Sequence, residues 1–179
     1  MEKNILFPTV VYEWKHVLSD KNFNFISSAN LEDGASVSHT KLQETIINYV
    51  EEILKDIQVE TKYEIDITEM WCNVNDLGKD HPVHVHPNSI FSGIYYITDG
   101  EPTLFIDPRP AATSFQLCSR YNSILPSSQA LPNKLIIFPS WLPHFVKQNT
   151  TSKVRKTISF NILLRGQYGV PGMRAETKI

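Results

Sequence analysis

The stretch Val154–Leu164, VRKTISFNILL, has two faces. Ile158, Phe160, Ile162 and Leu164 fall on one parity, and Arg155, Thr157, Ser159 and Asn161 on the other. Successive side chains of a strand point to opposite sides of its sheet. The segment therefore predicts a strand with an apolar face for packing and a polar face that looks either into a barrel or out to water. Turned inward, the polar face presents a guanidinium, two hydroxyls and an amide. A buried guanidinium is costly unless it meets an anion, and Arg can grip a carboxylate with two parallel hydrogen bonds.

The apolar face needs a cover, and the chain supplies one. Lys41–Ile57 carries Leu42, Ile46, Tyr49, Val50, Ile53, Leu54 and Ile57 at helical spacing, with Glu44, Glu51, Glu52 and Lys55 opposite. Residues 18–36 hold turn signals at Asn30, Asp33 and Gly34 and room for a short helix. After Gln58 the period changes to two: Tyr63–Asn75, Ser89–Ile97, Thr103–Ile106 and Leu135–Phe138 alternate like strands, broken by Pro, Gly, Asn and Asp. Ile5–Trp14, with Pro8 near its start, reads as an edge strand. In Met70–Asn75, Glu69, Trp71, Asn73 and Asn75 share one parity and Met70, Cys72 and Val74 the other, so Asn73 and Asn75 can add polar contacts inside the barrel; Asn75 also suits the turn at Asp76-Leu77-Gly78. The expected architecture is an all-β barrel or sandwich with N-terminal helices on one side. It forms a single domain over 1–179, with helical support over 18–57 and a β core over about 60–165. Residues 107–133 are rich in Pro and Ser and longer than a connection needs, which suits a binding loop.

Composition narrows the function classes. The 179-residue chain is 41% hydrophobic and 20% charged with a formal net charge of −2, so it is neither a disordered chain nor one with the basic excess of a dedicated nucleic-acid binder. Two cysteines, Cys72 and Cys118, exclude a disulfide framework. No apolar run is long enough to span a bilayer, and MEKNILFPTVVYEW lacks the basic end and apolar run of a signal peptide. The expected location is the cytoplasm, with no membrane partner.

Three of the six histidines draw attention. His84 and His86 lie two apart in HPVHVHPNS, so on a strand their imidazoles share a face. His144 follows the Leu135–Phe138 strand and a Pro-Ser-Trp-Leu-Pro turn, where a barrel can bring it beside that pair. Three imidazoles can hold a metal and leave positions open. His81 reads as a solvated neighbour, and His16 and His39 as surface residues.

Together, HVHPNSIFSGIYYI, FPSWLPH, RKTISFN and the opening Leu6-Phe7-Pro8-Thr9 resemble the iron(II)/2-oxoglutarate-dependent oxygenases, in particular a group with a His-x-His-Pro-Asn-Ser motif. The resemblance covers about residues 5–12 and 68–165 and implies a double-stranded β-helix. It implies Fe(II) held by His84, His86 and His144, with 2-oxoglutarate as cosubstrate. Arg155 and Tyr96 would hold its distal carboxylate, and Asn73 and Asn161 would line its pocket; no catalytic residue is implied beyond the metal site. The implied reaction releases succinate and CO₂ and hydroxylates an unidentified peptide or small molecule. One departure stands out: most of the superfamily has Asp or Glu where this chain has His86, so the ligand set has no protein carboxylate. Asp80 could supply one only if a regular strand ran through Pro82.

Other readings compete. Gly78 before His84-x-His86 fits the start of a cupin signature, and a three-His cupin dioxygenase would need no 2-oxoglutarate. However, the downstream Glu is missing, since positions 90 and 91 are Ile and Phe. A hydrolytic three-His zinc site and a non-enzymatic binding module are further alternatives.

Overall fold

The structure, a computed structural model, describes residues 8–59, 61–109, 127–169, 172 and 176–179. Two helices precede most of the strands: α1 (Asp20–Ser27) and α2 (Thr40–Asp56). The strands are β1 (Tyr12–Lys15), β2 (Glu64–Asn75), β3 (His81–His84), β4 (Phe91–Tyr96), β5 (Gly100–Phe105), β6 (Ser127–Ala130), β7 (Lys134–Pro139), β8 (His144–Val146), β9 (Arg155–Arg165), β10 (Gln167–Tyr168) and β11 (Thr177–Lys178). They form a five-stranded sheet in the order β1-β7-β4-β9-β2 and a four-stranded sheet in the order β3-β8-β5-β6, with β10 and β11 as a separate pair. The two larger sheets make the double-stranded β-helix.

Binary patterning explains the layers. On the outer face of the five-stranded sheet, Tyr95, Leu135, Ile137, Ile158, Phe160 and Ile162 join Leu42, Ile46, Val50 and Ile53 of α2 in one buried cluster. Burying each such side chain contributes roughly 1.5–3 kcal/mol. Between the sheets, Ile94, Tyr96, Phe105, Ala130, Ile136, Phe138 and Leu142 form a second cluster. Strands β4, β7 and β9 thus have no solvated face, as expected of a sheet covered on both sides.

β2 and β9 pair along their whole length, and the register slips between Ile67 and Glu69. The extra residue of this bulge, Thr68, reverses the parity of the strand. Ile65, Ile67 and Met70 all pack toward the helices, while Glu69, Trp71, Asn73 and Asn75 oppose Asn161, Ser159, Thr157 and Arg155. Gly93 lies in β4 between its sheet neighbours β7 and β9, directly opposite Phe160. A Cβ there would overlap the Phe160 ring and lie 2.6 Å from the Ile136 carbonyl oxygen, so only Gly fits.

The edge strand is shorter than the sequence suggests, because pairing with β7 begins only at Tyr12. Residues 5–7 and the central part of the 107–133 loop (110–126) lie outside the described residues. The end of that loop is β6 rather than irregular chain, and it closes the small sheet against β5. Among the described residues, no helix is long and apolar enough to cross a membrane.

Candidate active site

Antiparallel pairing of β3 with β8 places His84 directly opposite His144. His86 lies just past β3, where its backbone N–H donates to the Ser140 carbonyl at 3.0 Å. One ring nitrogen from each of His84, His86 and His144 lies within 4.8 Å of the others. The Nε2 atoms of His86 and His144 are 3.3 Å apart, close to the separation of two nitrogens ~2.0–2.1 Å from a shared ion. Asp80 is not in this group; its backbone carbonyl accepts from the Asn75 amide.

The tautomers are set by the chain itself. His84 Nδ1 is 2.8 Å from the Pro82 carbonyl and His144 Nδ1 is 2.9 Å from the Leu142 carbonyl. A carbonyl only accepts, so each Nδ1 carries the hydrogen and each Nε2 keeps its lone pair. Burial lowers the pKa of His144 to about 3 and that of His86 to about 4, and neighbouring histidines add to both shifts. Both rings are therefore neutral at pH 7, the form that binds a metal. The donor set fits a metal ion.

The histidines stand at the wall of an open cavity of about 370 Å³, mouth included, which Trp71, Asn73, Arg155, Thr157 and Ser159 also line. Arg155 is 2% exposed. Its Nε donates to the Glu101 carbonyl at 3.0 Å, its Nη1 to Asn75 Oδ1 at 3.1 Å and its Nη2 to Thr103 Oγ1 at 3.4 Å. None of these partners is charged, and among the described residues no carboxylate pairs with it. Burial lowers its pKa, but a guanidinium stays protonated in proteins. The cavity thus contains an uncompensated buried cation. The Ser128 hydroxyl, on the residue opposite Thr103 in the β5–β6 pair, is buried without a hydrogen-bond partner. An anion in the cavity would compensate the Arg155 charge.

The expected residues divide. His84, His86, His144, Arg155 and Asn73 line the cavity together. Tyr96 lies behind Arg155: the guanidinium carbon is 5.5 Å from its ring centroid, and its hydroxyl shares a 2.8 Å hydrogen bond with Thr103. Asn161 is beside Ser92 and Glu69 rather than in the cavity wall. His81, read as solvated, is half-buried in that wall, its ring 5.2 Å from that of His84. Asn75 accepts from Arg155 through Oδ1 while its Nδ2 donates to the Asp80 carbonyl across the turn. Thr103 and Ser128 went unmarked in the sequence because single hydroxyls on short strands carry no pattern. Trp71, marked only by its parity, packs its ring 5.9 Å from that of His86.

A double-stranded β-helix thus carries an imidazole cluster at one wall and a buried Arg in the same cavity. Residues 69–161, more than half of the chain, match the family described as "Putative 2OG-Fe(II) oxygenase", and the chain belongs to that family. Membership implies Fe(II) and 2-oxoglutarate and points to an oxidoreductase. No curated protein sequence matches the chain significantly. Solved structures share the fold. A prolyl-4-hydroxylase from Pseudomonas putida is 11% identical with a TM-score of 0.58, covering 88% of this chain and 89% of its own. A prolyl hydroxylase from Trichoplax adhaerens, solved with a hypoxia inducible factor peptide fragment, is 13% identical with a TM-score of 0.58 and coverages of 86% and 83%. HygX from Streptomyces hygroscopicus, solved with nickel and 2-oxoglutarate, is 9% identical with a TM-score of 0.56 and coverages of 86% and 81%.

Proposed function

We propose that this chain is an Fe(II)- and 2-oxoglutarate-dependent dioxygenase that hydroxylates a peptide or small molecule and releases succinate and CO₂. The observation that carries this reading is a single cavity with three imidazole nitrogens within 4.8 Å of one another and a buried Arg155 that has no carboxylate partner among the described residues.

In this reading His84, His86 and His144 hold the iron. Iron held there would supply the redox chemistry of 2-oxoglutarate decarboxylation and oxygen transfer. The residues of the chain do the rest. The carbonyls of Pro82 and Leu142 keep two imidazoles in the ligating tautomer. Arg155 takes the distal carboxylate, with Thr103 and Ser128 hydroxyls beside it. Asn75 and the Glu101 carbonyl hold the guanidinium so that little ordering is left for binding. Tyr96 closes the apolar side and excludes water, which strengthens the ion pair. Asn73, fixed between Trp71 Nε1 and Ser159 Oγ, lines the cavity wall with its amide.

His86 in place of a carboxylate leaves the bare metal site one charge more positive. Dianionic 2-oxoglutarate offsets two charges, so iron and cosubstrate should bind cooperatively. Anaerobic Fe(II) titration with and without 2-oxoglutarate, followed by succinate release in air, tests this. Binding of each should strengthen the other; metal binding with no Arg155-dependent 2-oxoglutarate binding overturns the proposal.

A further inference from the structure

Four polar side chains of the fold stand outside the cavity wall, yet they are joined in one line. Asn161 Nδ2 donates to Glu69 Oε2 at 3.1 Å. Ser92 Oγ donates to Asn161 Oδ1 at 2.8 Å, and Ser92 and Ser140 hydroxyls are 2.8 Å apart. A hydroxyl has one hydrogen. Since that of Ser92 goes to Asn161, the Ser140 hydroxyl must donate to Ser92. The donors therefore all point one way, from Ser140 through Ser92 and Asn161 to the Glu69 carboxylate. Ser92, Ser140 and Asn161 are buried at 1%, 1% and 7% exposure, while Glu69 is exposed.

The line ends at the metal-ligand segments. The Ser140 backbone carbonyl accepts the His86 N–H at 3.0 Å, and its N–H donates to the Ile90 carbonyl at 3.1 Å. Ser140 thus clamps both ends of the His86–Ile90 segment, in which Asn88 has a left-handed φ of 61°. Two residues on, the Leu142 carbonyl takes the Nδ1–H of His144. A shift of Ser140 moves the backbone of one imidazole and the orienting acceptor of another. Three strands carry the network: β2 through Glu69, β4 through Ser92 and β9 through Asn161. Motifs that seem unrelated in sequence, Ser92-Gly93, Pro139-Ser140-Trp141 and Phe160-Asn161, meet here.

We propose that Ser140, Ser92 and Asn161, anchored by Glu69, are positioning residues that set the relative placement of the His86 and His144 imidazoles. Asn161 acts through Ser92 and Ser140 and does not touch cosubstrate. This rests on the assignment of those histidines as metal ligands. Partners that orient ligands in this way are typically worth about 10–100-fold in metal affinity.

The test uses Co(II), read by its visible absorption, on the full chain. The wild type should bind one Co(II) with a defined spectrum; failure to do so overturns the metal site itself, and this inference with it. If the wild type binds, Ser140→Ala and Ser92→Ala should each weaken Co(II) binding about 10-fold and alter the band positions. The double variant should be no worse than the worse single, because one line is cut in either case. Glu69→Ala, at the exposed end, should shift the bands in the same direction with the fold intact, and decides the question if the buried variants do not fold. Unchanged band positions and affinity in folded Ser140→Ala, or in Glu69→Ala if the buried variants unfold, overturn the inference even if melting temperatures fall.

Discussion

His84 and His144 are partners on neighbouring antiparallel strands, their rings 4.3 Å apart, and each gives its Nδ1–H to the carbonyl two residues earlier in the chain. The tautomer of each ring is thus set by a carbonyl of its own local backbone. Each should therefore be replaceable without loss of the fold. His84→Gln and His144→Gln should each abolish stoichiometric Fe(II) binding, measured by anaerobic titration, while far-UV circular dichroism stays unchanged.

His86 depends on its backbone contact with Ser140 and on packing against Trp71, not on a ring hydrogen bond to a carbonyl. If it occupies the usual carboxylate position, His86→Asp should retain Fe(II) and 2-oxoglutarate binding. Loss of metal in that variant points instead to a site that requires three imidazoles.

Arg155→Gln removes the only cation lining the cavity among the described residues. Truncating one side of a buried charge pair costs about 2–5 kcal/mol, so 2-oxoglutarate affinity should fall by at least about 30-fold in calorimetry. Fe(II) affinity without cosubstrate should not fall. Equal losses of both would show that Arg155 supports the fold rather than the cosubstrate.

The metal-free protein should lose stability as pH falls from 6.5 toward about 4. His86 is held to a pKa of about 4 and His144 to about 3 in the folded state, against 6.5 when free of these neighbours. The unfolded chain then binds more protons than the folded one throughout that window, so stability rises with pH across it and levels off above. Urea unfolding at pH 7 and pH 5 checks this. The His86→Gln/His144→Gln double variant should show a smaller drop between the two, since carboxylates titrate equally in both proteins.

Gly93→Ala inserts a methyl group between the Phe160 ring and the β7 backbone. Overpacking of this kind costs typically 1–3 kcal/mol, and the urea midpoint should fall accordingly. Unchanged stability would mean that β4 can move away from its neighbours without loss.

Much of the chemistry was legible along the chain because it is local or periodic. The alternation in Val154–Leu164 put Arg155, Thr157 and Ser159 on one polar face, open between barrel interior and water, and the structure has them in the cavity wall. The stripe of Leu42, Ile46, Val50 and Ile53 gave the helix and its buried face. His84, His86 and His144 could be singled out by spacing and by the turn before His144. Strand and helix periods are properties of neighbouring residues, so the sequence determined the elements, their faces and the candidate ligands.

Tertiary structure decided what no local pattern encodes. It took Asn161 away from the cavity, where its Oδ1 accepts from Ser92 and its Nδ2 donates to Glu69. It turned His81 inward beside His84 and gave Arg155 the partners Asn75, Thr103 and Glu101. It also placed the β2 bulge at Thr68, so that Ile65 and Ile67 pack on the same side as Met70 despite their opposite parity. Each of these outcomes depends on which strand lies beside which, and hence on register and sheet order. That pairing brings together side chains up to 92 residues apart, as with Asn161 and Glu69. Strand pairing is fixed by the closure of the whole barrel, and a one-residue slip would send every one of these groups to the opposite face.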